Sequence, residues 1–508
     1  MAKFAQTITP TAGTRTNRAG GEAFAQGAER ELVHILLTSF LKNGAYRSGE
    51  DTLTRLQEVF RQVDPKLAAK AAIYARNEFG MRSISHALAG EIAHTVKGEQ
   101  WTKDFFEKIV RRPDDMMEIL AYIHGTYKKY EPNSLKKGFG AALAGMDEYQ
   151  LGKYRGEGKA MSLVDVVNLV HPPHTEAISK LVNGTLESPE TWEVLLTQAG
   201  QNGNTPEEKA ALKAEAWTKL ITERKLGYFA LLRNLRNIAQ QAPDALDAAL
   251  EMLVDPELIR KSLVLPFRFL TAYKQFEGVG TKGGYGYQWY GRQQVVAADV
   301  PENLKRKIVV ALSQAIDISL ANVPNMDGDT LVVVDASGSM HSNAGGSESA
   351  IEIAAVFAAA LLKANNADLM LFEGDAKYVT FNPTDSTMTV ARSIYDAASG
   401  GATNFSAPFE RATRKYDRII ILSDMQGWVE NRYYGTSSPV PALRAYEEKF
   451  AVQPNIYSFD LTGYGSMMLP HDRVFELAGF SDKVFDLMQI IEQGEDSLIR
   501  AIDESVDL

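Results

Sequence analysis

Asp335, Ser337 and Ser339 stand at alternate positions in the stretch LVVVDASGSM, Leu331–Met340. A buried strand ending at Val334 delivers them onto one tight turn, where a carboxylate and two hydroxyls can face a cation from one side. Oxygen donors without imidazole or thiolate suit a hard ion that keeps part of its water shell, so Mg²⁺ is expected, with Mn²⁺ or Ca²⁺ as the other candidates. The pattern alone is only moderately specific, because Ser and Asp also crowd ordinary turns and helix N-caps. Partners further along strengthen it. Thr403 lies in SGGATNF, a glycine-rich loop ahead of a helix, and Asp424 ends the apolar run RIIILSD. Open α/β sheets bind ligands at the carboxyl ends of their strands, so the loops carrying Asp335, Thr403 and Asp424 are expected to converge.

Such loops need strands that alternate with helices, and that alternation begins at about Pro301. A long helix through LKRKIVVALSQAIDISL leads into the strand at Leu331. A helix over Ile351–Lys363 follows, then strands near Leu369–Phe372 and Tyr378–Phe381 and further alternation to Phe459. The pattern predicts a doubly wound, Rossmann-like parallel sheet, with a closing helix around Phe485–Ile502 returning to the first domain or packing on the sheet. Residues 31–300 read instead as helix after helix. Asp64-Pro65 supplies an N-cap and an N1 proline, Leu67, Ala71 and Tyr74 follow at helical spacing, and Gly80 stands where a terminating glycine belongs. About fifteen short helices with no strand pattern among them imply an all-α solenoid of stacked pairs. Residues 1–30, polar and rich in Gly and Thr, are expected to be a flexible segment.

Composition bounds what such a molecule can do. At 508 residues the chain exceeds one core, so the division into 31–300 and 301–508 is expected on size alone. It has no cysteine, which excludes disulfides, zinc ribbons and thiol chemistry and accords with a cytoplasmic setting. The first thirty residues lack the apolar stretch of a signal peptide, and IEIAAVFAAALL is too short to span a bilayer, so no membrane partner is expected. The net charge of −10 is unevenly spread: residues 1–300 hold 38 Lys+Arg against 35 Asp+Glu, and residues 301–508 hold 16 against 29. A polyanion would be received by the first part and repelled by the second.

Several groups of residues suit that polyanion. In GYFALLRNLRNI, Tyr228, Leu231, Leu232, Leu235 and Ile238 form an apolar stripe, which leaves Arg233, Arg236 and Asn237 on the other side. Facing a strand of nucleic acid, those arginines would contact phosphates and base faces; otherwise they pair with acids on a neighbouring helix. In LGKYRGEGKAMSLVDVVNLVHPP, Lys153, Arg155 and Lys159 sit in a glycine-containing loop able to follow a bent phosphate backbone. His171, just before Pro172, reads on its own as a helix-end residue. The segment GVGTKGGYGYQWYGR interleaves glycines with Tyr285, Tyr287, Trp289 and Tyr290, which suits a joint between domains or a base-stacking surface. After Asp424, QGWVENRYYGTSS adds Trp428, Tyr433 and Tyr434, aromatics of the kind that anchor protein interfaces.

The set Asp335, Ser337, Ser339, Thr403 and Asp424 resembles the metal-ion-dependent adhesion site of von Willebrand factor A domains. The chain as a whole resembles the Ro autoantigen group, also called TROVE proteins. The matching segments are WTKLI at Trp217–Ile221, ALLRNLRNI at Ala230–Ile238, LPFRFLTAYKQF at Leu265–Phe276, the aromatic stretch through Trp289, and Leu331–Met340. The resemblance implies HEAT-like helix pairs closed into a ring and joined to a von Willebrand factor A domain. It implies RNA binding without catalysis: small noncoding Y-like RNAs on the outer face of the ring, and single-stranded 3′ ends of misfolded RNAs in its central hole. Lys153, Arg155, Lys159 and His171 are the residues it points to on the outer face. An exoribonuclease such as polynucleotide phosphorylase is the protein associate it suggests, with a monomeric ring. No G-x-x-x-x-G-K-[ST], H-E-x-x-H or G-x-S-x-G occurs in a suitable context, so an enzyme is not expected. The alternative function is a protein-binding scaffold in which a partner's Asp or Glu completes the metal shell.

Overall fold

The structure is a computed structural model that describes residues 14–16, 22–24, 27–38, 49–128, 131–156, 161–187, 189, 191–277, 299–341, 348–425, 439–461, 473–477, 485, 488–489, 492 and 497–508. After a short hairpin, β1 (Thr14–Thr16) and β2 (Glu22–Phe24), seventeen α-helices run from Ala28 to Ser319 among the described residues, with no strand between them. Local chemistry sets their ends. The Asp64 carboxylate accepts from the Leu67 N–H at 2.9 Å, Pro65 opens the helix Pro65–Asn77, and Gly80 turns the chain at φ +66. Thr205-Pro206 and Asp255-Pro256 repeat the same cap at later helices.

Helices pack in pairs: Ser83–Thr95 on Pro113–Tyr127, Thr102–Lys108 on Asn133–Ala144, and Trp192–Asn202 on Pro206–Thr222. At the second of these, a Cβ on Gly138 would fall 2.5 Å from the Lys103 carbonyl oxygen and 2.6 Å from the Phe106 Cβ. Only glycine lets the two backbones approach so closely.

One ionic cluster ties three of these helices together. Asp115, fully buried, accepts from Arg76 at 2.7 Å, from Arg82 Nε and Nη2 at 3.3 and 3.2 Å and from the backbone N–H groups of Arg111 and Arg112 at 3.0 Å, and bonds the His86 ring at 3.0 Å. Burial pushes its carboxyl up. The His86 hydrogen bond and the Arg76 guanidinium outweigh that and hold it below the usual carboxylate range.

The C-terminal part is a six-stranded sheet of β3 (Thr330–Asp335), β4 (Ala367–Phe372), β5 (Ala376–Val379), β6 (Arg418–Ser423), β7 (Asn455–Asp460) and β8 (Val474–Leu477), in the order β5-β4-β3-β6-β7-β8. Val332, Val334, Ile420 and Leu422 enter one core with the helix Ala350–Ala364, while Leu331, Val333, Ile419 and Ile421 enter another with Tyr446 and Phe409. Burial on both faces explains why β3 and β6 read as unbroken apolar runs. The sheet departs from the expected all-parallel form at one edge. β5 pairs with β4 antiparallel, because the turn through Glu373 and Asp375 is too short for a parallel crossover.

The sheet domain holds both ends of the helical array, which closes the chain into a ring. At the first end the helix Ser497–Ser505 packs on Pro65–Asn77, with Lys70 Nζ 2.7 Å from the Asp503 carboxylate. Both alternatives for the closing segment hold, because Phe485 stacks on Phe357 at 5.8 Å and Glu492 pairs with Arg418 of the sheet at 2.6 Å before Ser497–Ser505 returns to the first domain. At the other end Lys274 meets Glu352 at 2.7 Å, the Phe267 and Phe357 rings lie 5.6 Å apart, and the Asp317 carboxylate accepts from the Thr387 hydroxyl at 2.6 Å. The helix Glu302–Ser319, which the sequence pattern groups with the sheet, buries Ile308, Leu312 and Ile316 in the core of the preceding helices. The structural boundary therefore falls after Ser319 rather than at Pro301. Among the described residues no helix is long and apolar enough to cross a membrane.

Candidate metal centre and nucleic-acid surface

Strand register brings the oxygen donors to one edge of the sheet. Val334 pairs with Leu422, so Asp335 at the end of β3 comes beside Ser423 at the end of β6, and Asp424 follows directly. The Asp335 carboxylate accepts from the Ser337 N–H at 2.9 Å and from the Ser423 hydroxyl at 2.6 Å. The Ser337 and Ser339 hydroxyls lie 3.2 Å apart, with Ser339 on a tight turn over Gly338–His341. The Thr403 loop is clipped to this turn. Ser337 pairs with Gly401 as a parallel bridge, the Gly338 N–H donates to the Gly401 carbonyl at 3.0 Å, and the Gly400 N–H donates to the Ala336 carbonyl at 2.9 Å. Asp335, Ser337, Thr403 and Asp424 are all buried, while Ser339 is half-buried.

Two residues at this edge escaped the sequence reading. Ser423, which donates to Asp335 and accepts from the Met425 N–H at 2.9 Å, could have been found as the strand-end neighbour of Asp424. Asp460, buried at the end of β7 opposite Ser423, has no local signal and becomes visible only with the strand order. Met425 adopts φ +55, a left-handed conformation that a side chain tolerates only where its surroundings impose it.

The donor set fits a hard divalent ion. Burial pushes the Asp335 carboxyl up despite the hydrogen bonds from Ser423 and Ser337, and among the described residues no cationic side chain pairs with it. A buried carboxylate without a counter-charge is what a bound cation would compensate. Among the described residues no three His, Asp or Glu side chains form a metal-binding group, so a cation here would depend on the Ser and Thr hydroxyls.

The expected RNA residues lie on two parts of the helical array. Lys153 is exposed at the end of the helix Glu148–Lys153, its Nζ 5.6 Å from the Tyr149 ring and 5.9 Å from the Tyr154 ring, and Arg112 covers the Tyr154 ring at 4.5 Å. Arg155 is half-buried, and its guanidinium donates to the Leu186 carbonyl, so part of it serves to fasten the loop. His171 ends the helix Leu163–Val170 in a left-handed conformation, φ +48, with its ring exposed. Lys159, Trp428, Tyr433, Tyr434 and the aromatic stretch through Trp289 lie outside the described residues.

Arg233 and Arg236 project from the exposed face of the helix Tyr228–Gln241, whose other face buries Tyr228, Leu231, Leu232, Leu235 and Ile238. Among the described residues neither arginine has a carboxylate within ion-pair distance. Phe229, 41% exposed, stands four residues before Arg233 on the same face and was not singled out by its sequence context.

Fold and site together define a class: a ring of paired helices closed by a sheet domain with oxygen donors at its strand ends. Family models agree. One for the TROVE domain matches residues 38–185 and 183–286, and one for the Ro60 vWA domain matches residues 330–491. The chain belongs to the Ro, or TROVE-domain, family. A curated relative, RNA-binding protein RO60 of Deinococcus radiodurans, is 25% identical over 283 residues, which is 52% of this chain and 49% of that protein. Telomerase protein component 1 of Mus musculus is 23% identical over 50% of this chain and 13% of its own length. The chain thus spans about half of the first relative and much less of the second. The crystal structure of the Deinococcus radiodurans RO (RSR) protein superposes with a TM-score of 0.63 at 18% identity, covering 91% of this chain and 98% of that one.

Proposed function

We propose that this protein is a non-catalytic RNA-binding ring that holds small structured RNAs of the Y type on its outer face and single-stranded 3′ ends within the ring, in the cytoplasm and as a monomer. The observation that carries the reading is the pair Arg233 and Arg236, exposed and without ion-pair partners among the described residues, on a helix inside the matched TROVE region. Support comes also from the named activity of the Deinococcus relative and from the acidic balance of residues 301–508, which directs a polyanion toward the helices.

Purified protein should carry nucleic acid, seen as a raised absorbance at 260 nm relative to 280 nm, and RNA affinity should fall steeply with salt. Replacing Lys153 with Ala should weaken binding of a structured RNA and lower the slope of log K against log salt by about 0.9. Unchanged affinity and slope would remove Lys153 from the surface. Sequencing crosslinked RNA identifies the ligand.

A second reading adds to the first and rests on the Asp335 geometry. Asp335, Ser337, Ser339, Thr403 and Asp424 would hold Mg²⁺, with Ser423 orienting the Asp335 carboxylate. A bound ion would there attract a carboxylate from a protein partner, for which an exoribonuclease such as polynucleotide phosphorylase is the candidate. Chelation with EDTA and the Asp335→Ala substitution should each abolish association with that partner while RNA affinity stays within about twofold. A fall in melting temperature on chelation with partners retained would assign the ion to stiffening the sheet edge instead.

A further inference from the structure

A cavity of about 430 Å³ opens between the helices Trp192–Asn202, Pro206–Thr222 and Tyr228–Gln241, within the ~300–1,000 Å³ range of small-ligand pockets. Trp192, Glu193, Lys213, Trp217, Asn237 and Gln241 supply its aromatic and polar lining. Neither the metal centre nor the Lys153 surface uses any of them.

The indoles of Trp192 and Trp217 are near-parallel, with an interplanar angle of 17° and centroids 6.2 Å apart. Trp217 is buried, and its Nε1–H donates to the Gln241 side-chain oxygen at 3.1 Å. That bond leaves the Gln241 amide nitrogen to donate elsewhere. One turn earlier, Asn237 gives an amide hydrogen to the Asn234 side-chain oxygen at 2.9 Å, which leaves its own oxygen to accept. A donor and an acceptor therefore stand a turn apart beside a π-wall. Every nucleobase edge offers the complementary pair, and every base has a face that stacks on an indole.

Lys213 completes the set. It leans across Gly200, where a Cβ would lie 3.5 Å from the lysine Cε, and it is half-buried. Among the described residues its ammonium has no carboxylate within ion-pair distance. A partly desolvated ammonium without a counter-ion attracts an anion. Glu193 on the same lining leaves the cavity formally neutral, which suits one phosphate better than a polyphosphate.

We propose that this cavity takes one nucleoside monophosphate unit, its base on Trp192, its edge on Asn237 and Gln241 and its phosphate at Lys213. The unit arrives either as a link of a single-stranded RNA or as a free mononucleotide. The RNA form rests on the function proposed above: Asn237 adjoins Arg236, so a strand held by Arg233 and Arg236 runs close to the cavity.

The test uses the full chain with adenosine and uridine 5′-monophosphate and a ten-nucleotide single-stranded RNA containing 4-thiouridine, read by tryptophan emission, filter binding and mapping of the photo-adduct. Quenching and an adduct on Trp192 are expected. Trp192→Ala should cost about tenfold in oligonucleotide affinity, and Trp192→Phe should restore most of it. Lys213→Ala should weaken binding severalfold and lower the salt slope by about 0.7. Lys213 and Asn237 reach solvent, so their Ala variants keep the test valid should Trp192→Ala fail to fold. Oligonucleotide binding that all these variants leave unchanged overturns the cavity and spares the RNA function. Mononucleotide binding that the variants abolish, in a protein that binds no RNA, upholds the cavity and overturns the RNA function. Binding of neither ligand overturns both.

Discussion

Replacing Asp115 with Ala is expected to destabilise the helical ring by about 3–5 kcal/mol, the cost of leaving a buried cationic site without its anion. Asp115 is the shared acceptor for Arg76, Arg82, His86 and two backbone N–H groups, and Arg76 is itself buried. The carboxylate is fully buried where the three helices meet, so the loss falls on all of them at once. In thermal unfolding this is a drop of roughly 10 °C or more. Asp114, which bonds Arg82 and Arg112 nearer the surface, should cost less when replaced by Ala. The pH dependence has a definite sign. The Asp115 carboxyl is depressed in the folded state, so its contribution is complete above the ordinary carboxylate range near ~4 and is lost as pH falls through that range toward its folded value. Wild type should therefore lose stability more steeply than Asp115→Asn below about pH 4. Equal melting temperatures for wild type and Asp115→Ala at neutral pH would show that the cluster adds nothing to the fold.

Features whose causes lie within a few residues were legible in the sequence. Asp64, Pro65 and Gly80 set their helix by capping and by φ alone, and the apolar stripe of Tyr228–Gln241 follows from its period. The turn at Asp335 was legible for the same reason, since Asp, Ser and Ser share one loop. What Asp335 bonds was not legible: Ser423 lies 88 residues away and becomes its partner only through the pairing of β3 with β6. Arg155 shows the converse. Its type and its glycine-rich neighbours advertise a free cation, whereas the Leu186 carbonyl, 31 residues on, engages its guanidinium. Pro301 looked like a boundary because helices become longer and strands begin there. Periodicity cannot tell which core a helix joins, and Ile308, Leu312 and Ile316 join the earlier one. The antiparallel β5 was hidden likewise, because an apolar run carries no strand direction.

Reversing two charges, Arg233→Glu with Arg236→Glu, should reduce affinity for a single-stranded RNA 3′ end by about a hundredfold or more. Each arginine offers a charge-assisted bond worth ~1.5–3 kcal/mol, and each glutamate adds repulsion, so even the low end for two contacts exceeds two factors of ten. The fold should be untouched. Both side chains are exposed with no ion-pair partner among the described residues, and substitutions at such positions shift stability by only about 0.5 kcal/mol. An unchanged melting temperature beside lost binding therefore separates a contact from a scaffold defect. Two phosphates released should also lower the salt slope by about 1.4 for a single strand, an effect a purely steric change would not produce. Replacing both by Lys sharpens the assignment: a slope near wild type with weaker binding means that guanidinium planes stack on bases, since lysine keeps the charge and loses the plane. Phe229 on the same face makes stacking the expected component, and Phe229→Ala should then weaken binding without altering the slope. Affinity and slope both at wild-type values in the double glutamate variant would place the single strand elsewhere on the ring and remove the observation on which the RNA function rests.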